Sequence, residues 1–192
     1  ADLAREHQKF RAIQEIAHAV GSTLDIDELL RLIVSTVTEQ MQAERSSLFV
    51  LTDDRKELWT RVLEADEVQE IRLEVGTGVA GWVAEVGEAA NIPDAYADER
   101  FSRDVDLPTG FRTRSILCVP MRDPLGQITG VMQVLNKRDG VFPAEDQDLL
   151  VTLASQAAIA VENSKLYQSV VRKNQQLLTA QTALERRMRE RD

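Results

Sequence analysis

Two histidines, one cysteine, a glycine-rich hexapeptide and a scatter of carboxylates are the groups in this 192-residue chain with the types that chemistry requires. His7 and His18 stand eleven residues apart on a segment with helical periodicity, far in sequence from any loop-rich site. A helix surface or seam explains that pair better than metal ligation. Cys118 occupies an alternating position of an apolar run, with Pro120 two residues on. Such a thiol is buried packing, and its thiolate is disfavoured. Gly76-Thr-Gly-Val-Ala-Gly81 has the look of a dinucleotide fingerprint, but its third glycine is misplaced and no βαβ series surrounds it. Tight strand-to-helix packing is the better reading of these glycines. The carboxylates lie on turns and helix faces, where solvation explains them. No nucleophile, base and charge-stabilising donor come together, so the chain is expected to have no catalytic residue, no metal site and no required cofactor, and not to be an enzyme.

The hydrophobic pattern predicts the elements that must position any site. Leu3, Phe10 and Ala17 recur every seven residues with Ile13 and Val20 in the same stripe, which predicts a helix that ends at Gly21. A second helix opens within 22–27, capped by Asp25 or Asp27, with Leu29, Leu30, Ile33, Val34, Val37 and Met41 as its buried face. From about residue 44 the period changes to two. Strands are expected at 46–51, 58–64 and 70–75, with a turn at 53–56. A short helix at 79–85 sits among Gly76, Gly78 and Gly87, and 91–113 reads as irregular. Two apolar strands follow at 115–121 and 128–135, joined by a turn at Asp123-Pro-Leu-Gly.

From Ala144 onward there is neither Gly nor Pro, which predicts one helix of about 45 residues. Leu149, Leu150, Leu153, Ala157, Ile159, Ala160 and Val161 are its sheet-packing half. Val170, Asn174, Leu177, Gln181, Leu184 and Met188 then alternate steps of four and three, the spacing of a coiled coil whose polar core residues favour two strands. The expected order is an N-terminal signalling helix over 1–21, a domain over 22–168 and a C-terminal coiled-coil helix over 169–192. Seams at both ends predict a parallel homodimer through the terminal helices.

Net charge narrows the partners. With 23 Lys and Arg against 32 Asp and Glu, the chain carries −9. That balance argues against nucleic acid, which needs clustered cations, and against contact of this segment with an anionic membrane. One cysteine allows no intrachain disulfide and no Cys-based zinc site. No apolar run approaches the ~20 residues of a membrane helix, and the charged start ADLAREHQKF is not a signal peptide. A reducing cytoplasm is the expected location.

Four segments carry a resemblance: Gly78-Val-Ala-Gly-Trp-Val, Asn91-Ile-Pro-Asp-Ala-Tyr, Thr109-Gly-Phe-Arg-Thr-Arg-Ser-Ile-Leu-Cys-Val-Pro, and Asn136-Lys with Phe142 and Asp146. In that order they resemble the GAF domain, and within it the cyclic-nucleotide-binding GAF domains of phosphodiesterases and adenylyl cyclases. The resemblance implies an α+β fold: a central antiparallel sheet of five or six strands, helices on one face and a lid over the other. It implies a regulatory ligand, a purine cyclic nucleotide, between sheet and lid. Ser47 matches a position reaching the base, Ala80 a phosphate contact at the start of the short helix, and Asp106, Thr109 and Thr113 lid positions that bond ribose and phosphate. Gln133 stands at a base-edge position where a cGMP-selective domain has Glu, and Ser102 where such a domain has a ligand-contacting Tyr. Leu63 and Glu64 replace a Phe-Asp pair that contacts the base. Lys137 and Asp146 would form a salt bridge that braces the pocket, while Gln147 departs from the motif's final Glu.

Two functions remain open on the sequence. One is a small-molecule sensor in which ligand orders the lid and the helices pass that state to an output domain, with cAMP favoured over cGMP because of Gln133. The other is a dimerisation or protein-interaction module with a vestigial or different small-molecule pocket. In that case Ser47, Thr109 and Thr113 are ordinary strand and turn residues. Bilin attachment lacks its Cys-His pair, sulfoxide reduction its paired lid cysteines, and haem a plausible His ligand.

Overall fold

The computed structural model describes residues 25–64, 67–108 and 110–190, together with Leu3, Ala4, His7, Phe10, Arg11 and Gln14. Those six are helical, and Leu3 and Phe10 are exposed. The rest of the helix expected over 1–21, with His18, lies outside the described residues.

Helix α1 (Ile26–Gln40) begins where the Asp25 side chain accepts the Asp27 N–H at 2.9 Å, and Asp27 and Glu28 set negative charge against its first turn. Ile26, Leu29, Leu30, Ile33 and Val37 recur at steps of three and four and are all buried. The strands are β1 (Ala43–Leu51), β2 (Glu57–Glu64), β3 (Glu67–Glu74), β4 (Ala90–Ile92), β5 (Ile116–Arg122) and β6 (Ile128–Lys137). Helix α2 (Gly78–Val86) lies between β3 and β4, and α3 (Ala144–Arg189) closes the chain. One antiparallel sheet runs β3-β2-β1-β6-β5-β4.

Period two divides the sheet into two faces. Leu48, Val50, Leu117, Val119, Met121, Met132 and Val134 pack under α1 and α3. Phe49, Leu51, Leu58, Ile116, Cys118 and Val131 form the other face, with α2 and the segment after β4 laid over them. The short helix therefore shares the lid's side rather than joining the other helices. β1 and β6 begin and end beyond the expected limits because their pairing continues out to Ala43 opposite Lys137. The region read as irregular contains β4 and two 3₁₀ turns, Ala95–Ala97 and Arg103–Val105. Segments of three residues are too short to show a period.

α3 runs unbroken for 46 residues, about 69 Å at 1.5 Å per residue. Its buried positions end at Ser164, so the stretch after it extends past the sheet. The sheet-packing stripe is narrower than expected. Ile159 is 40% exposed, because Ala157, Ala158, Ala160 and Val161 already fill the contact. Val170, Leu177, Leu184 and Met188 are each more than half exposed on this single chain. Among the described residues, no helix is long and apolar enough to cross a membrane.

Candidate functional site

Strand register assembles the floor of the site. Ser47 stands directly opposite Gln133 across β1 and β6, and Gln133 opposite Cys118 across β6 and β5. The row lies on the same face as Phe49 and Val131, beneath the lid. Ser47 and Gln133 are half-buried. Cys118 is fully buried, and burial pushes its thiol far above the ordinary value against a small opposing pull from the Arg100 guanidinium.

α2 enters beside this row. Gly81 must be glycine, since a Cβ there would sit 2.5 Å from the Glu74 carbonyl oxygen. Gly81 is thus the close-packing glycine of the hexapeptide, whereas Gly76 and Gly78 supply the positive φ of the turn, closed by the Gly76 N–H donating to the Gly81 carbonyl at 2.8 Å. Ala80 is buried in the first turn of α2, and Thr77 at its N-cap makes no side-chain capping bond. Arg100 fixes the lid to this helix. Its guanidinium lies 4.4 Å from the Trp82 ring centroid and holds both oxygens of Asp98, at 2.9 and 2.6 Å.

Three donors converge on Asp106, which is only 6% exposed. The Thr113 N–H donates to Oδ2 at 2.8 Å, the Thr113 hydroxyl to Oδ1 at 2.7 Å, and the Tyr96 hydroxyl to Oδ2 at 2.9 Å. Burial pushes the Asp106 carboxyl up, but these bonds and the Arg112 guanidinium outweigh it and hold the carboxyl below its usual range. The bond to Asp106 pushes the Tyr96 phenol up. Around the Tyr96 ring stand Arg112 at 4.4 Å, Arg103 at 5.1 Å and the Phe101 ring at 5.4 Å. Phe111 carries Arg45 over its face at 3.9 Å.

The sequence-assigned residues thus fall in two groups. Ser47, Gln133 and Ala80 lie on the sheet and helix side, while Asp106 and Thr113 are bonded to each other in the lid. Ser102 is exposed at the head of the second 3₁₀ turn, and Thr109 lies outside the described residues. Leu63 and Glu64 are in β2, with their side chains outside the described set. Lys137 Nζ stands 2.7 Å from Asp146 Oδ2, with side chains 11% and 6% exposed. Hollows of about 510 Å³ and 180 Å³ lie elsewhere: one between Asp25 and Tyr167, Val171 and Gln175 of α3, the other around Thr52, Arg55, Thr129 and Lys165. Sequence reasoning missed Tyr96, Arg100 and Arg112. Tyr96 was legible as an aromatic in a polar segment, whereas the arginine contacts leave no local signal.

The family model for the GAF domain matches residues 25–161. The chain is 30% identical over 192 residues to a probable 3',5'-cyclic phosphodiesterase, pde-5, of Caenorhabditis elegans, with 93% of this chain and 26% of that protein covered. It is 35% identical over 186 residues to the dual 3',5'-cyclic-AMP and -GMP phosphodiesterase 11 of Drosophila melanogaster, covering 86% of this chain and 13% of that one. It therefore spans about a quarter or less of the length of these relatives. Two solved structures share its fold. The GAF domain of a phosphoenolpyruvate-protein phosphotransferase from Coxiella burnetii has a TM-score of 0.71 at 23% identity, covering 85% of this chain and 98% of that one. Free methionine-R-sulfoxide reductase from Neisseria meningitidis has 0.64 at 19%, covering 83% and 91%. The motif order, the six-stranded sheet with its lid, and the family match over most of its length agree: the chain belongs to the GAF domain family.

Proposed function

We propose that this GAF domain is a non-catalytic regulatory module that binds a purine cyclic nucleotide, cAMP in preference to cGMP, between its sheet and its lid. One observation carries the reading. On a face lined mainly by Phe49, Leu51, Ile116, Cys118 and Val131, the half-buried polar residues Ser47 and Gln133 stand paired beneath the lid. A polar pair in an apolar wall suits a ligand with an apolar body and a hydrogen-bonding edge. The Gln133 carboxamide can accept from adenine N6 and donate to N1, whereas the two adjacent guanine donors suit a carboxylate better. The first turn of α2 at Ala80 suits the cyclic phosphate. Thr113, Asp106, Ser102 and Thr109 supply the lid side, and Lys137 with Asp146 braces the site. The likeness to phosphodiesterases acting on 3',5'-cyclic nucleotides supports the ligand class.

The domain works in the cytoplasm as a parallel homodimer, with the seam of α3 carrying its state to an output domain. A second reading, dimerisation with a vestigial pocket, is favoured by one observation: Asp106 and Thr113 spend their hydrogen bonds on one another.

Titration calorimetry with cAMP and cGMP separates the two. Wild type should bind cAMP more tightly, and Gln133→Glu should shift the balance toward cGMP by about 1–2 kcal/mol, the scale of one charge-assisted bond gained and one acceptor left unpaired. Heat from neither nucleotide at millimolar concentration would sink the cyclic-nucleotide reading and leave only the GAF fold standing.

A further inference from the structure

One side chain holds the limb by which the lid returns to the sheet. Asn136 is fully buried near the end of β6 in the left-handed region, at φ 58°, which asparagine tolerates better than most residues. Its Oδ1 accepts the backbone N–H of Arg114 at 2.6 Å and of Ser115 at 3.2 Å. Its Nδ2 donates to the Arg112 carbonyl at 2.9 Å and to Glu44 Oε2 at 3.0 Å. The carboxamide is saturated. Its own N–H donates to the Ser115 carbonyl at 2.8 Å. Asn136 therefore grips the chain on both sides of Thr113, the residue whose N–H and hydroxyl close onto Asp106.

The next residue grips both helices. Lys137 Nζ donates to the carbonyl of Met41, the C-cap of α1, at 3.0 Å, and pairs with Asp146 in the first turn of α3 at 2.7 Å. The ammonium lies 5.9 Å from the Phe142 ring centroid. The Lys137 N–H donates to Ser115 Oγ at 3.2 Å, so the two grips share Ser115. Little water reaches this corner to replace a lost partner.

We propose that Asn136 and Lys137 are positioning residues that make the seating of the lid and the placement of α1 and α3 a single equilibrium. Coupling between sites needs a contiguous set of contacts whose arrangement both sites bias. Here the contiguous set is Asp106, Thr113, the 112–115 limb, Asn136, Lys137, and then Met41 and Asp146. A ligand that draws on Thr113 must move a limb held by three bonds to one buried carboxamide and a fourth to the Asn136 backbone N–H, and the adjoining lysine carries that movement to both helices. The use of this coupling for signalling rests on the ligand-binding reading above. Its mechanical part does not.

Amide hydrogen exchange on the full chain without ligand tests the mechanical part. Lys137→Met removes an ammonium whose partners, Met41, Asp146 and Phe142, all lie outside the lid. Exchange in the lid over 103–115 should nevertheless rise about tenfold, with the β2–β3 hairpin unchanged. Asn136→Gly keeps the backbone conformation and should produce the reciprocal rise in the first turns of α3. An unchanged lid in Lys137→Met, or a rise spread equally through the hairpin, overturns the proposal. Calorimetry on wild type then stands apart: no heat with cAMP or cGMP sinks the cyclic-nucleotide reading and leaves the exchange result intact. If cAMP does bind, Lys137→Met should keep the protection it confers on the lid and lose that on α3. Retained protection of α3 would equally overturn the coupling.

Discussion

Replacing Asp106 by alanine removes the acceptor that three lid donors share. Hydrogen bonds to a charged group contribute about 1.5–3 kcal/mol each, and a simple sum over three overstates the loss. The carboxylate is itself desolvated, a cost the alanine variant no longer bears. Tyr96 is half-buried, so its hydroxyl can recover a water. What remains is the buried N–H and hydroxyl of Thr113 without a partner, at about 1–3 kcal/mol for each donor. A net destabilisation of about 3 kcal/mol follows, and for a chain of this length that lowers Tm by roughly 6–12 °C. Asp104→Ala, an exposed carboxylate two residues away, is the control and should stay within about 0.5 kcal/mol. Acid adds a second readout. Because the folded carboxyl lies below the ordinary value of about 3.9, its contribution is present above that pH and disappears as pH falls through the folded value. The melting difference between wild type and Asp106→Ala should therefore narrow below about pH 4. Thermal melts followed by circular dichroism measure both. If Asp106→Ala melted with the Asp104→Ala control at neutral pH, the carboxylate would not be anchoring the lid.

A Cβ on Gly130 would collide with the Phe49 carbonyl across the β1–β6 ladder, where the backbone cannot retreat. Gly130→Ala should cost more than about 3 kcal/mol in chemical denaturation, whereas Gly140→Ala, strained at φ +88° but facing open space, should cost about 1–2; equal costs would refute the register argument. Cys118 should react slowly with a thiol reagent in the native protein and fast after unfolding, and stoichiometric native labelling would contradict its burial. Changing Leu177 and Leu184 together to Lys would place like charges in the proposed seam and remove the about 1.5–3 kcal/mol that each leucine would contribute if buried there. Sedimentation should then give the monomer mass, and an unchanged dimer would place the interface elsewhere.

Local pattern alone determined α1, α2, α3 and most strands, because periods of 3.6 and two are written into consecutive side chains. A capped start of α1 at Asp25 or Asp27, the unbroken α3 and the buried Cys118 needed no partner from elsewhere in the chain to be read, and the structure chose Asp25 as the cap. The four quoted segments carried the family in the same way. Tertiary structure decided what depends on residues distant in sequence. Ser47 and Gln133 become neighbours only through the β1–β6 register, 86 positions apart along the chain. Asp106 and Thr113 were read as two lid contacts for a ligand. The fold turns them toward each other, since a buried carboxylate must find donors and the nearest are its own lid's N–H and hydroxyl groups. Asn136 was legible as part of a motif, but its bonds to the lid limb and to Glu44 exist only once β6, β1 and the lid converge. A sequence fixes each residue's capacity to hydrogen-bond and its preferred backbone angles. Which partner meets that capacity is settled by packing, where the cost of leaving a buried polar group unpaired selects among the neighbours the fold provides.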